Sequence, residues 1–389
     1  MLKFEKFSGL NNVLPSHRLS KDALARADNV DIGLDGEISR RAGYSEVSAL
    51  CHKNLWQADG FMLATVDSDL VATTGATQTA VYASFGVSRV WYCNLPDGRT
   101  TFSNGLINGI TDGAATTAWG VPTPTGLGTP VDVAGSLFAG DYQYKLSYVR
   151  LSDGLEGAPL DSEPFAVASG GIVLAGLPTL AGHKINVYLS SHDGAGPGYY
   201  AGTTLGGGFS FIGTNDQLVL PCRTEGLDPM PVGTVTAFWR GRVLVAAGPV
   251  LYASRAGQWE LCDMRRDFKQ FSADITLIQP VDGGVFVGTE KELAFLDGEE
   301  FDKLSYTQAV PAATVLGSGV AVRGEMLKSG EGAGLGGAMM CIADGVVIAG
   351  FSDGQIVRLT EGKYETAATE VAATFRMAGR VPQYIAIPQ

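Results

Sequence analysis

Short runs with apolar residues at every second position dominate this chain, and turn dipeptides separate them about every ten residues. That period belongs to strands with one buried face. The stretch 27–44, ADNVDIGLDGEISRRAGY, sets the pattern. Residues 29–32 alternate apolar and polar. Asp35-Gly36 accepts the positive φ angles of a tight hairpin, and 37–41 returns as its second strand, ending in Arg40-Arg41. After His52 the pattern predicts 61–66 paired with 69–73, 79–85 paired with 89–94, and Asp97-Gly98 turning into 100–102. Strands so spaced predict a sandwich, barrel or propeller.

The sequence W-G-V-P-T-P at 119–124 breaks this rhythm and reads, with the Gly-rich residues after it, as a linker. Beyond it, 140–151 (GDYQYKLSYVRL) alternates strictly, with Tyr142, Tyr144, Leu146 and Tyr148 on one side. Residues 172–174, 184–190, 199–204 and 209–213 continue the alternation. Together they predict an immunoglobulin-like or fibronectin III-like sandwich over 126–229, with no Cys…Trp…Cys of the antibody type.

After Pro231 the first rhythm resumes in 236–245, 250–254 and 258–262, and then in 275–280, 284–288 and 293–296, closed by Asp297-Gly298. A similar unit follows: 339–343, Asp344-Gly345, 346–351, Asp353-Gly354 and 356–359. The two form a weak repeat of about 40–50 residues, as propeller blades do. Residues 370–377 and 384–387 are the last strands. At the other end, 1–19 reads as an extended arm and 20–27 (SKDALARA) as a short helix capped by Ser20.

The predicted fold is all-β: a β-propeller-like domain interrupted by an inserted immunoglobulin/fibronectin III-like β-sandwich. The chain divides into the arm and helix (1–28), a first propeller segment (29–122), the insert (123–231) and a second propeller segment (232–389). A ring closes best when its first and last strands share a blade. Residues near 29–48 are therefore expected to pair with the C-terminal strands.

Composition narrows the function. Of 389 residues 45% are hydrophobic, enough for a real core, while 17% charged residues and 52 Gly suit short strands and tight turns rather than disorder. Lys+Arg 28 minus Asp+Glu 40 gives −12, which argues against a protein that grips nucleic acid by its phosphates. The same charge suits a wall that DNA must pass without sticking. Cys51, Cys93, Cys222, Cys262 and Cys341 are scattered, which predicts reduced thiols and folding in a reducing cytosol rather than a disulfide framework or zinc site. The N-terminus lacks the apolar core of a signal peptide, and no window approaches the ~18 apolar residues of a membrane span.

Few residues point to chemistry. Gly332–Gly337 (GAGLGG) matches G-x-G-x-x-G, but no strand–helix unit surrounds it, so a flexible loop is expected. His183 and His192 are near enough in sequence to meet in the insert but lack a third ligand, and His17 and His52 lie far off. Asp263, Arg265, Arg266 and Asp267 form a charged cluster. Paired carboxylates can hydrolyse glycosides, yet this stretch reads as a loop, so a solvated turn or subunit contact is expected. Asp153, Glu156, Asp161 and Glu163 crowd one loop without EF-hand spacing and read as an ordinary acidic loop rather than a calcium site. Arg40 and Arg41 read equally as partners for acids of a neighbouring subunit and as exposed strand ends. The five Trp are expected in core or inter-blade packing rather than a sugar platform. The expectation is thus no catalytic, cofactor-binding or metal residue, and no cofactor, with Arg40, Arg41, Arg265 and Arg266 as candidate subunit-interface residues.

Phe7-Ser8-Gly9-Leu10-Asn11, Ala27-Asp28-Asn29-Val30-Asp31-Ile32, Asp35-Gly36-Glu37-Ile38 and Arg40-Arg41-Ala42-Gly43-Tyr44 together resemble phage virion proteins of the tail nozzle and tail hub type. W-G-V-P-T-P at 119–124 and A-G-D-Y-Q-Y-K-L-S-Y at 139–148 are similar to that family too. These motifs cover about the first tenth of the chain and the insert, and they are structural. The resemblance implies a non-enzymatic ring, six-fold, in a short tail. It would lie under a head-to-tail adaptor on the portal side, beside tail fibres or spikes, and convey viral DNA without specific binding. Localisation would be the virion tail after synthesis in the host cytoplasm. Two alternatives stand beside it: an adhesion module for host glycan or another tail protein, and a propeller polysaccharide-degrading enzyme, against which the lack of an acid/base pair counts.

Overall fold

Five antiparallel four-stranded meanders follow one another along the chain, and each is one blade of a β-propeller-like domain. The computed structural model describes residues 7–33, 36–43, 45–46, 48–75, 77–194, 196–327, 336–378 and 381–389. Blade one is His52–Gln57, Met62–Val66, Asp69–Thr74 and Thr77–Tyr82. Blade two is Trp91–Asn94, Thr100–Ser103, Asn108–Thr111 and Thr116–Thr117. Blade three is Thr236–Trp239, Arg242–Ala247, Val250–Ala253 and Phe268–Gln270. Blade four is Ile275–Val281, Gly284–Thr289, Leu293–Asp297 and Ser305–Val310. Blade five is Val320–Arg323, Gly337–Ala343, Val346–Phe351 and Ile356–Arg358.

The alternation along each strand explains how blades stack. In Arg242–Ala247 (RVLVAA), Val243 and Val245 join Cys93 and Ile110 of blade two, while Leu244 and Ala246 join Ile278 and Val285 of blade four. A strand buried on both faces must be apolar throughout, and this one nearly is. Leu63 and Leu70 of blade one meet Tyr92 and Phe102 of blade two in the same way. Phe286 and Phe295 of blade four meet Met339 and Ile348 of blade five, with the two Phe rings 4.7 Å apart. The Asp344-Gly345 turn of blade five has φ of 54° and 72° at its two residues, the double left-handed turn that joins strands without splaying them.

The insert consists of two sheets packed face to face. One is Thr129–Ala134, Gly170–Leu177 and Gly207–Phe211; the other is Leu160–Asp161, Tyr144–Arg150, His183–Leu189 and Tyr199–Thr204. Gly140–Tyr142 pairs separately with Phe165–Val167. Ile172 and Leu174 from one sheet and Tyr144, Leu146, Ile185 and Val187 from the other fill the core between them. The predicted side of Tyr142, Tyr144, Leu146 and Tyr148 is buried.

Several expectations are corrected. Residues 20–27 are not a helix: Ala23–Leu24 pairs in parallel with Gly9–Leu10, because eight residues repay too little of the nucleation cost. Residues 79–85 and 89–94 are not partners. Thr77–Tyr82 closes blade one on Asp69–Thr74, and Trp91–Asn94 opens blade two. Residues 236–245 are two strands with a turn at Arg240-Gly241, not one. Leu261–Cys262 leaves blade three to pair with Asp228–Pro229. The stretch at 119–124 begins as an anchored segment, since Trp119 and Val121 are buried.

Closure also differs. Val30–Ile32 pairs with Ile38–Arg40, and Val371–Ala378 pairs with Val381–Pro388; among the described residues 29–48 do not pair with the C-terminal strands. The chain ends meet otherwise. Asn12 Nδ2 donates to Glu365 O (2.7 Å), and Asn12 Oδ1 accepts from Glu365 N–H (2.9 Å), so one side chain imitates a strand partner. Arg376 lies 3.8 Å from Asp31. Arg89, ahead of blade two, reaches Glu370 (2.8 Å) and donates to Val371 O (2.9 Å). Gly317 lies against this bridge, where a Cβ would collide with Arg89 and Val371 O. Asn12→Ala is expected to free the arm at a cost of about 1 kcal/mol, seen as faster hydrogen exchange over 9–14 with the blades unchanged.

Candidate functional site

Glu260 precedes Leu261–Cys262 at the junction of blade two, blade three and the insert, and its side chain is only 4% exposed. Its Oε2 accepts from Arg150 Nη2 (2.6 Å) and from Gly120 N–H (3.1 Å). Its Oε1 accepts from Arg99 Nη1 (2.9 Å). Arg150 ends the insert strand Tyr144–Arg150, and Arg99 follows the Asp97-Gly98 turn of blade two. Gly120 lies where the chain leaves blade two for the insert. One buried carboxylate therefore ties three structural units together. Trp119 reinforces the joint by donating to Trp259 O (2.9 Å), and Trp259 donates to Gly241 O (2.9 Å).

A cleft of about 390 Å³ opens beside this joint, lined by Asp97, Arg99, Ile110, Asp112, Ser152 and Asp153. Each of its carboxylates already has a protein partner. Asp97 holds Arg99 at 2.7 Å. Asp112 accepts the N–H groups of Ala115 (2.7 Å) and Ala114 (2.9 Å), which hold its carboxyl below the usual range. Asp153 lies 3.3 Å from Arg150 Nη1 without the alignment of a hydrogen bond. Burial opposes the Arg99 charge, but the hydrogen bonds to Asp97 and Glu260 outweigh it and move the pKa upward. Groups tied to neighbours in this way hold the geometry of the joint.

A second polar cluster covers the outer face of the insert. Lys145, almost wholly buried, lies 2.5 Å from Glu225 and 3.3 Å from Asp161. Glu156 Oε1 accepts from Ser147 Oγ, Asn186 Nδ2 (3.0 Å) and Tyr188 OH (2.6 Å). Asp153, Glu156 and Asp161 are therefore drawn to different partners, and Glu163 is exposed. Among the described residues no group of three His, Cys, Asp or Glu is placed to hold a metal ion. His183 stacks edge-on against Tyr148 and His192 against Phe138, apart from each other.

The other singled-out residues are placed as follows. Asp267 lies 3.5 Å from Arg242 and 3.2 Å from Arg255, and Asp263 accepts from Arg265 N–H (3.0 Å) and Nε (3.3 Å). The two acids shape the blade-three loop while Arg265 and Arg266 stand exposed. Arg40 and Arg41 are exposed too, with Arg41 3.3 Å from Asp31 of its own hairpin. Trp56 stacks on Tyr92 at 5.6 Å and donates to Asn94 (2.7 Å). Residues 332–335 of the G-x-G-x-x-G match, with Asp35 and Tyr44, lie outside the described residues. Sequence reasoning missed Arg99, Lys145, Arg150 and Glu260. The available signal was a lone charge inside an apolar run, clearest for Lys145 and Arg150 in YKLSYVR.

Cys51 is exposed and the other four thiols are buried. Burial pushes Cys93, Cys262 and Cys341 up to about 12. A thiol reagent at neutral pH is expected to label Cys51 fast and the others only on unfolding; fast labelling of Cys341 would contradict the burial. The unfolded thiols titrate near 8.5, so above that pH the folded chain holds more protons than the unfolded one, and stability falls as pH rises toward about 12. The urea midpoint is expected to be lower at about pH 11 than at about pH 8.

No protein-family model matches the chain, and no curated protein matches it. Solved structures do. It is similar to the BBS1 N-terminal domain crystallised with ARL6 at 12% identity over 88% of this chain and 91% of that one, TM-score 0.34. The WD40 domain of Neurospora crassa Pan2 is similar at 8% identity over 83% and 82%, TM-score 0.33. PorZ, a surface component of the type-IX secretion system of Porphyromonas gingivalis, is similar at 12% identity over 90% of this chain and 52% of that one, TM-score 0.22. The propeller-like fold rests on the five meanders of the chain itself. No helix among the described residues is long and apolar enough to cross a membrane.

Proposed function

We propose that this chain is a non-enzymatic structural subunit of a phage tail, of the nozzle or hub type. Copies of it form a ring, a hexamer, around the channel that retains and releases the genome. The observation that carries the reading is the joint at Glu260, where Glu260, Arg99 and Arg150 from three units bond to one another and hold shape. The motifs of 7–11, 27–44 and 119–124 add the phage tail to this, and the net charge of −12 agrees with a wall that phosphates slide past. The insert, of immunoglobulin or fibronectin III type in this reading, stands on the ring as a fixed outwork. Partners are further copies, the head-to-tail adaptor and the neighbouring fibres or spikes, in the virion.

The test is negative-stain imaging and sedimentation of the purified chain, alone and with the adaptor. Rings with a central opening are expected; a chain that stays monomeric and never joins a tail would end the proposal. A second reading, adhesion to a glycan or tail protein, draws on the far end of the insert. There Phe138 and Ile212 are 62% and 61% exposed, on loops held by Asn215 Oδ1 accepting from Phe138 N–H (2.8 Å). A glycan-array signal lost in Phe138→Ala/Ile212→Ser would favour that reading.

A further inference from the structure

The C-terminal hairpin packs beside Val320–Arg323, the first strand of blade five, and a groove of about 360 Å³ lies between them. Val322 and Phe375 join this groove to the core of blade five. Met326 and Met377 line it as well, and Met377 is 46% exposed. Methionine is unbranched and polarisable, so a groove lined by it adapts to apolar side chains of different shape. Two arginines complete the lining, Arg323 from blade five and Arg376 from the hairpin. Neither guanidinium is saturated. Arg323 is exposed, and among the described residues it has no side-chain hydrogen bond or ion pair. Arg376 Nε donates to Gln383 Oε1 (2.9 Å), but its Nη2 lies 3.8 Å from Asp31 Oδ1, beyond hydrogen-bond reach. That oxygen is closer to Arg41, at 3.3 Å. Glu325, next to Met326, is exposed and pairs with none of these arginines. Residues 371–389 contain two Arg and no Asp or Glu, in a chain whose net charge is −12. The groove is therefore cationic on an acidic protein.

We propose that this groove binds an acidic, apolar peptide segment of another protein, its carboxylates on Arg323 and Arg376 and its apolar side chain against Met326 and Met377. A guanidinium takes a carboxylate through two parallel N–H···O bonds, so two such forks suit two acids. A fatty acid would bring one head group to two forks. Nucleic acid would bring phosphates but leave the methionines without an apolar partner, and the net charge of the chain repels it. A segment seated here touches both blade five and the hairpin. Its binding holds the hairpin down where the propeller closes. The site stands apart from the ring reading, since one copy carries all of it.

The test is equilibrium dialysis of the full chain against three pools of capped pentapeptides. One pool carries Asp or Glu on both sides of a central Leu, Met or Phe. The second has Lys or Arg in place of the acids, and the third Ser or Gln. The acidic pool is expected to be retained at least ~10-fold better than the other two, and Arg323→Gln to reduce that retention at least ~10-fold, the loss of one charge-assisted pair. Arg323 has no partner within the chain to lose, so this variant keeps the fold. Arg223→Gln, on an exposed arginine of the insert, is expected to change nothing. An acidic pool held no better than the neutral one, or held equally by Arg323→Gln, would overturn the proposal. So would displacement of the peptides by dodecanoate or by an oligothymidylate at equal concentration, which would give the groove to an amphiphile or a nucleic acid. Self-association of wild type that Arg323→Gln abolishes in sedimentation velocity would give it to a second copy and overturn the proposal likewise. Hydrogen exchange supplies the location: amides of 320–323 and 371–378 are expected to slow with the acidic pool, and unchanged rates despite retention would place the binding elsewhere. Failure on any of these counts leaves the ring reading as it stood.

Discussion

Glu260→Ala is expected to destabilise the protein by about 3–5 kcal/mol, the largest loss from any single polar substitution here, because it leaves Arg150 and Arg99 in place without their shared carboxylate. Arg150 is the more deeply buried of the two and bears most of the loss. The effect is not the worth of the interaction itself. Removing all three charges together, as Glu260→Leu with Arg150→Met and Arg99→Met, is expected to cost less than the single change. Urea denaturation followed by tryptophan fluorescence reads both, since Trp119 and Trp259 flank the joint. A Glu260→Ala protein as stable as wild type, or a triple variant worse than the single, would show that the cluster does not hold the insert.

Ending the chain at residue 370 is expected to be at least as damaging. The deletion removes Val371, which is fully buried, and takes Phe375 and Tyr384 off the face of blade five formed by Met340, Ala349 and Phe351. It also removes the Val371 carbonyl from Arg89 and the Tyr384 hydroxyl that donates to Ser318 O at 2.7 Å. At about 1.5–3 kcal/mol per large apolar side chain, discounted for partial burial, the loss is roughly 5 kcal/mol. Hydrogen exchange is expected to rise first in blade five and least in the insert. A truncated chain with native protection in Val320–Arg323 and Val346–Phe351 would mean that the C-terminal hairpin is ornament.

Much of the propeller was legible because its signals are local. Apolar alternation and Asp-Gly turns each sit within a few residues, and the likeness of blades four and five recurs at a spacing of about 40–50 residues. The errors fell where local signals were missing or ambiguous. Between Tyr82 and Trp91 no turn dipeptide says which neighbour either strand pairs with, so one blade boundary was read as a hairpin. The run RVLVAA of blade three hides two interfaces in one apolar stretch, and nothing in it marks the Arg240-Gly241 turn before it as a break. SKDALARA has helix-forming residues but only eight of them, and tertiary pairing of Ala23–Leu24 prevailed. The joint at Glu260 was invisible for another reason. Its partners lie 110 and 161 residues away, across a domain insertion, and no pattern within a strand records that. The acidic loop of the insert, conspicuous in sequence, separates into unrelated pairs once folded.

The two crossings between propeller and insert come together at one spot: Gly120 lies against Pro229, so close that a Cβ on the glycine would strike the proline. A chain that departs and comes back at adjoining points has no need of what lies between to trace its path. A tight turn spliced from 120 to 229 would leave the blades in their present order. The insert is in that sense a removable cassette, and the same docking point would accept a domain of different origin, provided that it brings its own cation for Glu260.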